Sequence, residues 1–182
     1  MMKETFQNLI AYLKNPVLEK DSNVSLNYRF KIFFHLLLIS LLSSLIVTPL
    51  FFFIEELNLV KMDTHKTEEM FKGMAILKIL LLAAIITPIV EELIFKAPIT
   101  AFKKPKSFKQ SFYTFSIAFG IIHIFNFEIT TNVLLLAPLL VLPQLLVGAY
   151  FGYIRVRLGL RWSMLLHGCY NGVLITISFY FK

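Results

Sequence analysis

The sequence predicts an all-α protein, a polytopic transmembrane helical bundle with about five spans and an interfacial helix near its amino end. Apolar residues make up 57% of the 182 positions and charged residues 16%, a balance far from that of a soluble domain of this length. Five stretches reach or approach the roughly 20 apolar residues that one bilayer crossing needs. Basic residues lie in short clusters between these stretches, as the positive-inside rule predicts for cytoplasmic turns.

The amino-terminal segment, residues 1–27, is expected to lie in the cytoplasm before an integral membrane domain at residues 28–182. Its apolar residues recur at helical spacing up to a proline: Phe6, Leu9, Ile10, Leu13 and Pro16. This pattern is typical of an amphipathic helix that lies in the membrane interface. A frayed tail is the alternative that the same residues allow.

Charged and turn-forming residues bound each predicted span. The spans cover, in order, about residues 30–54, 79–102, 108–127, 131–154 and 162–181. Four lysines within residues 103–109 mark the turn after the second span as cytoplasmic, and Arg155, Arg157 and Arg161 mark the turn after the fourth. The loops at residues 55–72 and around Glu128 are then external. We therefore expect a multi-pass protein of the cell membrane with a cytoplasmic amino terminus and an external carboxyl terminus.

Ionisable and amide side chains occur inside the predicted spans, where they are costly and usually face a polar cavity. The second span contains Glu91 and Glu92, the third contains His123, and the fifth contains His167 and Asn171. His167 and Asn171 are four residues apart, so they lie on one helix face. Counted by helical rise from the cytoplasmic ends, the side chains differ in depth by about two turns at most. They are therefore candidates for one shared site.

This set of side chains is sufficient for peptide hydrolysis without a protein nucleophile. A carboxylate can deprotonate water, an imidazole can orient it or protonate the leaving amine, and a second His with an Asn can bind the developing oxyanion. One Glu and two His also resemble a zinc site with an open position. Zinc held by Glu91, His123 and His167 therefore stays an alternative to metal-free chemistry, and the cofactor is undetermined.

Three short motifs stand in a recognisable order: Glu91-Glu92-Leu-Ile-Phe-Lys96, Phe119-Gly-Ile-Ile-His123 and His167-Gly-Cys-Tyr-Asn171. They resemble the EExxxR, FxxxH and HxxxN series of the CPBP family, the CAAX-protease and bacteriocin-processing membrane endopeptidases that are also called the Abi family. Each motif alone is weak, whereas three in order inside apolar spans form a specific pattern. The family-like core covers about residues 78–182.

The resemblance implies an intramembrane endopeptidase whose site contains five residues: Glu91, Glu92, His123, His167 and Asn171. In that family pattern Glu91 is the catalytic base, His123 assists water activation, and His167 and Asn171 stabilise the oxyanion. The mechanism is described either as metal-dependent or as glutamate-type, so the resemblance does not decide between them.

Phe119 and Lys96 are expected to support the site. Lys96 stands where the family pattern has Arg, so it keeps the charge but loses the planar fork that can hold both glutamates. Weakened or lost proteolysis is the alternative that follows from this change. Lys96 lies one helical turn after Glu92, a spacing that favours an ion pair between them. Gly148 and Gly152, four apart in an apolar helix, predict the close approach of another helix.

The expected partner is a membrane-associated polypeptide substrate, lipidated like a CAAX protein or of bacteriocin type, that is cleaved within the lipid bilayer. The alternative function is a non-catalytic membrane scaffold or a bacteriocin self-immunity protein that binds through the same polar cavity. Nucleic-acid binding is not expected, because the net charge of +7 is divided among short clusters beside the spans. Cys169 is the single cysteine, which excludes an internal disulfide and a multi-cysteine metal site.

Overall fold

The computed structural model describes residues 2–62 and 71–180. Within these ranges the chain is helical and contains no strand, which confirms the all-α prediction. The helices are α1 Met2–Lys14, α2 Leu26–Glu56, α3 Ile76–Leu80, α4 Thr87–Phe95, α5 Pro105–Ile122, α6 Thr131–Leu140, α7 Leu142–Arg157 and α8 Leu160–Tyr180. Part of the predicted external loop, residues 63–70, and the last residue of the predicted fifth span lie outside the described residues.

Two helical stretches are long and apolar enough to cross a membrane by length and composition. They are α2, with 31 residues, and the 27-residue stretch Thr131–Arg157 that α6 and α7 form together. Large apolar side chains such as Leu45 and Ile46 of α2 are exposed, as on a lipid-facing surface. These stretches contain the predicted first and fourth spans, whereas the count of five spans stays a prediction.

The predicted second span is not one regular helix. α3 widens into a π-helical segment, Leu81–Ile86, directly before α4, which has Pro88 at its second position. Proline has no backbone N–H for the residue four positions earlier, and such irregular turns occur often at functional sites. After Phe95 the chain turns through a 3₁₀ helix, Ala97–Ala101. The two glutamates therefore lie in a short helix between two irregular turns.

α5 packs closely against α7 because glycines leave room for side chains from the other helix. A Cβ atom added at Gly148 would lie 2.5 Å from Cδ1 of Phe119, and one at Gly152 would lie 3.0 Å from Cε2 of Phe112. This confirms the predicted close approach. His123 follows the last residue of α5 and begins a 3₁₀ turn that ends at Asn126. The predicted third span therefore changes from an α-helix to a 3₁₀ helix at His123.

The helix α1 forms where it was predicted, and one of its faces packs on the bundle. Leu9 is completely buried and joins the main apolar core between α1, α2, α5, α7 and α8. The ring of Tyr12 contacts those of Phe112 and Tyr153, with centroid distances of 5.5 and 5.0 Å. Phe6 remains 46% exposed. Contacts with the protein therefore hold this helix, in addition to any contact with the membrane interface.

Candidate active site

His167 lies between the two adjacent glutamates of α4. Its Nδ1 is 3.2 Å from Oε1 of Glu92 and its Nε2 is 3.6 Å from Oε2 of Glu91. An ionised carboxylate can only accept a hydrogen bond, so Nδ1–H is the donor to Glu92 in that state. The imidazole is buried and stacks on Phe151, with 4.6 Å between the ring centroids. The ring of His167 thus contacts two of the other four predicted site residues, Glu91 and Glu92.

The two glutamates differ in exposure. The side chain of Glu92 is 0% exposed, whereas that of Glu91 is 23% exposed. A carboxylate that acts on water must be within reach of water and substrate, whereas a buried carboxylate needs hydrogen-bond donors around it. The geometry therefore allows the two residues to have different tasks.

Ser163 completes the surroundings of Glu92 and was not among the predicted site residues. This serine is fully buried, its hydroxyl is hydrogen-bonded to Oε2 of Glu92, and its oxygen lies 2.9 Å from the carbonyl oxygen of Phe151 in α7. It precedes His167 by four residues, so helical spacing places both side chains on one face of α8. That spacing was the available signal. It is a weak one, because serines in apolar helices commonly bond to their own backbone.

One cluster of polar contacts comprises Glu91, Glu92, Ser163 and His167. Phe119 connects the second motif to this cluster. The centroid of its ring lies 5.0 Å from that of His123 and 5.5 Å from that of His167. Nδ1 of His123 donates a hydrogen bond of 2.7 Å to the backbone carbonyl of Phe119. Because a carbonyl can only accept, the neutral imidazole carries its proton on Nδ1 and its lone pair on Nε2. His123 is half-buried and is held beside the cluster in a defined tautomer.

The predicted ion pair between Glu92 and Lys96 is wrong for this structure. Nζ of Lys96 is buried with no hydrogen-bond partner among the described residues, and it lies 4.1 Å from the centroid of the Phe119 ring. This is a cation–π arrangement. Both carboxylate oxygens of Glu92 are already bonded, one to Ser163 and one to His167. Glu92 is therefore bound by Ser163 and His167 of α8 and not by Lys96 of its own motif.

Arg155 holds the turn that follows α4. Its Nε donates to the carbonyl of Lys96 at 3.2 Å, and its Nη2 donates to the carbonyl of Ala97 at 3.3 Å and to Oγ1 of Thr100 at 2.8 Å. The sequence analysis used Arg155 as a marker of the cytoplasmic side. In the structure it also fixes the carboxyl end of the motif that carries both glutamates.

Asn171 contacts the segment that leads into α4. Its Nδ2 donates a hydrogen bond of 2.9 Å to the carbonyl of Ala83 in the π-helical segment. Nearby on α8, Gly168 approaches the same segment so closely that an added Cβ would lie 2.5 Å from the carbonyl oxygen of Ala84. Asn171 thus anchors α8 to the turn before the glutamates. The contact uses one of the two N–H groups of its amide.

The residues of the zinc alternative do not form a ligand set. In the part of the chain that the structure describes, no three His, Cys, Asp or Glu side chains are arranged to hold a metal ion. Nε2 of His167 lies 3.6 Å from Oε2 of Glu91, but no third donor is grouped with them among the described residues. Glu91, His123 and His167 are therefore not arranged as a zinc site in this structure.

One family model matches the part of the chain that carries the cluster. The model, described as Rce1-like, type II CAAX prenyl endopeptidase, matches residues 73–173, more than half of the chain. The matched range contains all three motifs. No curated protein and no solved structure matches the chain.

Proposed function

Because the chain belongs to the Rce1-like family of type II CAAX prenyl endopeptidases, we propose that it is an intramembrane endopeptidase that cleaves a membrane-anchored, lipidated polypeptide. The family is a membrane-embedded protease family. The position of His167 between Glu91 and Glu92 carries the proposal. Of the two substrate classes expected from the sequence, the family match supports a CAAX-like polypeptide over one of bacteriocin type.

Glu91 is the catalytic base in this proposal, because it is the partly exposed carboxylate of the pair. It takes a proton from a water molecule while the water oxygen forms a bond to the carbonyl carbon of the substrate. Nε2 of His123 carries the lone pair and accepts a hydrogen bond from the second O–H of that water, which stays on the attacking oxygen. The proton on Glu91 then passes to the leaving amine as the peptide C–N bond breaks, which leaves a new carboxyl end and a new amino end.

His167 and Asn171 stabilise the oxyanion in this proposal. His167 acts here as the imidazolium, which carries an N–H on both nitrogens: Nδ1–H is held by Glu92, and Nε2–H is directed towards Glu91 and the reacting atoms. Asn171 lies one turn further along α8 and offers the N–H that is not used by Ala83. Donors placed in advance around a developing negative charge are among the strongest contributions to acyl-transfer catalysis. Glu92 is a supporting residue that orients His167.

The proposed topology has five spans within residues 28–182, a cytoplasmic amino terminus and an external carboxyl terminus, with the catalytic core at about 78–182. A Cys169→Ala background allows single cysteines to report on it. Lys104→Cys should react with an impermeant thiol reagent only after the membrane is opened, whereas Glu128→Cys should react in intact cells. The reverse labelling pattern would contradict the orientation.

Cleavage of membrane-tethered peptides, with and without a prenyl group, by the purified protein in detergent tests the activity. We expect Glu91→Gln to reduce cleavage about a hundredfold or more, because a positioned base commonly contributes that much. Glu56→Gln, which changes an exposed carboxylate at the end of α2, is the matched control and should cleave normally. We also expect cleavage to persist with a strong chelator, since the described donors do not form a zinc site.

Three outcomes would contradict parts of this proposal. Loss of cleavage in chelator, with recovery on adding zinc, would overturn the metal-free mechanism. A folded wild-type protein that cleaves no peptide, or a Glu91→Gln variant as active as wild type, would instead favour the scaffold or self-immunity function.

A further inference from the structure

Ser163 links three helices at the buried end of the cluster. Its hydroxyl contacts the carboxylate of Glu92 in α4 and the carbonyl of Phe151 in α7, while Ser163 itself lies in α8. Beyond Glu92 the chain of contacts continues to Nδ1 of His167 at 3.2 Å, and from Nε2 of His167 to Glu91 at 3.6 Å. Ser163 is therefore the far end of a continuous polar chain that leads to the proposed base.

We propose that Ser163 is a positioning residue for the cleavage reaction. It fixes the carboxylate plane of Glu92, so that Oε1 faces His167 and the imidazole keeps its Nε2 edge towards Glu91. The inference rests on the proposed function, because it concerns the orientation of residues that act in that reaction.

The partners of Ser163 distinguish it from other buried serines of the bundle. Ser40 is also completely buried, but its hydroxyl donates to the carbonyl of Leu36, four residues earlier in its own helix, at 2.8 Å. That local bond is the usual one for a serine in an apolar helix. Ser163 instead directs its hydroxyl to two other helices, and one of the two partners is a carboxylate with no exposed surface.

The hydroxyl suits this position because it can both donate and accept. When Glu92 is ionised, the Ser163 O–H donates to Oε2. When Glu92 carries a proton, the same oxygen can accept from it and turn its own hydrogen to the Phe151 carbonyl. Without the hydroxyl, Oε2 is buried with one donor fewer, and a buried acceptor that loses its partner is costly. The carboxylate would then turn towards other donors and release its hold on His167.

Ser163→Ala should lower kcat of peptide cleavage about tenfold or more while KM changes less than about twofold, since the loss is that of one hydrogen bond to a charged group. Ser163→Thr keeps the hydroxyl and should restore at least half of the wild-type kcat. Ser163→Cys is nearly isosteric and has a weak S–H donor, so it should be slow like the Ala variant and gives a result that does not depend on the Ala variant folding. Ser40→Ala is the control for loss of an equally buried hydroxyl.

The outcomes separate this inference from the proposed function. Wild-type cleavage that is lost in Glu91→Gln and kept at the wild-type kcat in folded Ser163→Ala and Ser163→Cys would overturn the positioning role alone. So would equal effects of Ser163→Ala and Ser40→Ala on kcat, or a folded Ser163→Thr variant as slow as the Ala variant. No cleavage by the wild type, or full cleavage by Glu91→Gln, would instead overturn the proposed function.

Discussion

Gly168→Ala tests whether the contact between α8 and the π-helical segment positions the cluster. The added Cβ would lie 2.5 Å from the carbonyl oxygen of Ala84, about 0.9 Å short of the 3.4 Å at which ordinary contact begins. Backbone lies on both sides of this contact, so no flexible side chain can move aside. Inserting one methyl group into such a contact costs about 1–3 kcal/mol. We expect the free energy of unfolding to fall by that amount.

The same displacement should also affect the proposed chemistry. Gly168 directly follows His167, whose Nε2 is 3.6 Å from Glu91. If α8 moves away, this gap widens by up to about 0.9 Å, and a misplacement near 1 Å commonly costs about a hundredfold in rate. We therefore expect a loss of kcat between about tenfold and a hundredfold in a peptide-cleavage assay.

Gly172→Ala is the matched control, because it lies on the same helix and faces the same residue. Its added Cβ would be 3.6 Å from the Cβ of Ala84, which is ordinary van der Waals contact. Any gain in helix propensity from replacing glycine by alanine is similar at both positions, so the difference between the variants isolates the contact. Equal unfolding temperatures and equal kcat values for the Gly168 and Gly172 variants would refute the reasoning.

Two further predictions concern the anchoring of the bundle. Asn171→Ala removes the donor to the Ala83 carbonyl and should lower the free energy of unfolding by about 1–3 kcal/mol, measured by thermal unfolding in detergent; an unchanged unfolding temperature would show that the contact does not anchor α8. Leu9→Ala should destabilise the protein by about 2–5 kcal/mol because Leu9 is fully buried. Phe6→Ala, at a position that is 46% exposed, should cost well under half as much; equal losses would contradict the docking of α1 on the bundle.

The class of fold could be predicted from composition, since the chain has long apolar runs separated by basic clusters. The structure has α2 over the predicted first span and the helical stretch of α6 and α7 over the fourth. The interruption at Leu81–Ile86 could not be predicted in the same way, because Leu, Ala and Ile fit an ordinary helix. Pro88 gives a local reason for irregularity, but the contacts of Gly168 and Asn171 with this segment come from a helix more than eighty residues later in the chain.

The site shows the same division between local and distant information. Helical spacing placed Glu92 and Lys96 one turn apart and so predicted an ion pair. α4 ends at Phe95, which leaves Lys96 as the residue that caps the helix. Ser163, 71 residues after Glu92, and His167, 75 residues after it, bind the carboxylate instead. Spacing within one motif cannot include competitors that only tertiary packing brings near.

Two adjacent glutamates on one helix point about 100° apart, because an α-helix has 3.6 residues per turn. They therefore cannot face the same cavity equally, and here Glu92 points into the bundle while Glu91 keeps some exposed surface. Imidazole has nitrogens on two different edges, so His167 of α8 can contact both carboxylates of α4 at once. The adjacency of the glutamates thus gives one carboxylate that is held by buried donors and one that remains accessible. A motif with the second glutamate a full turn away would place both carboxylates on one face and lose this separation.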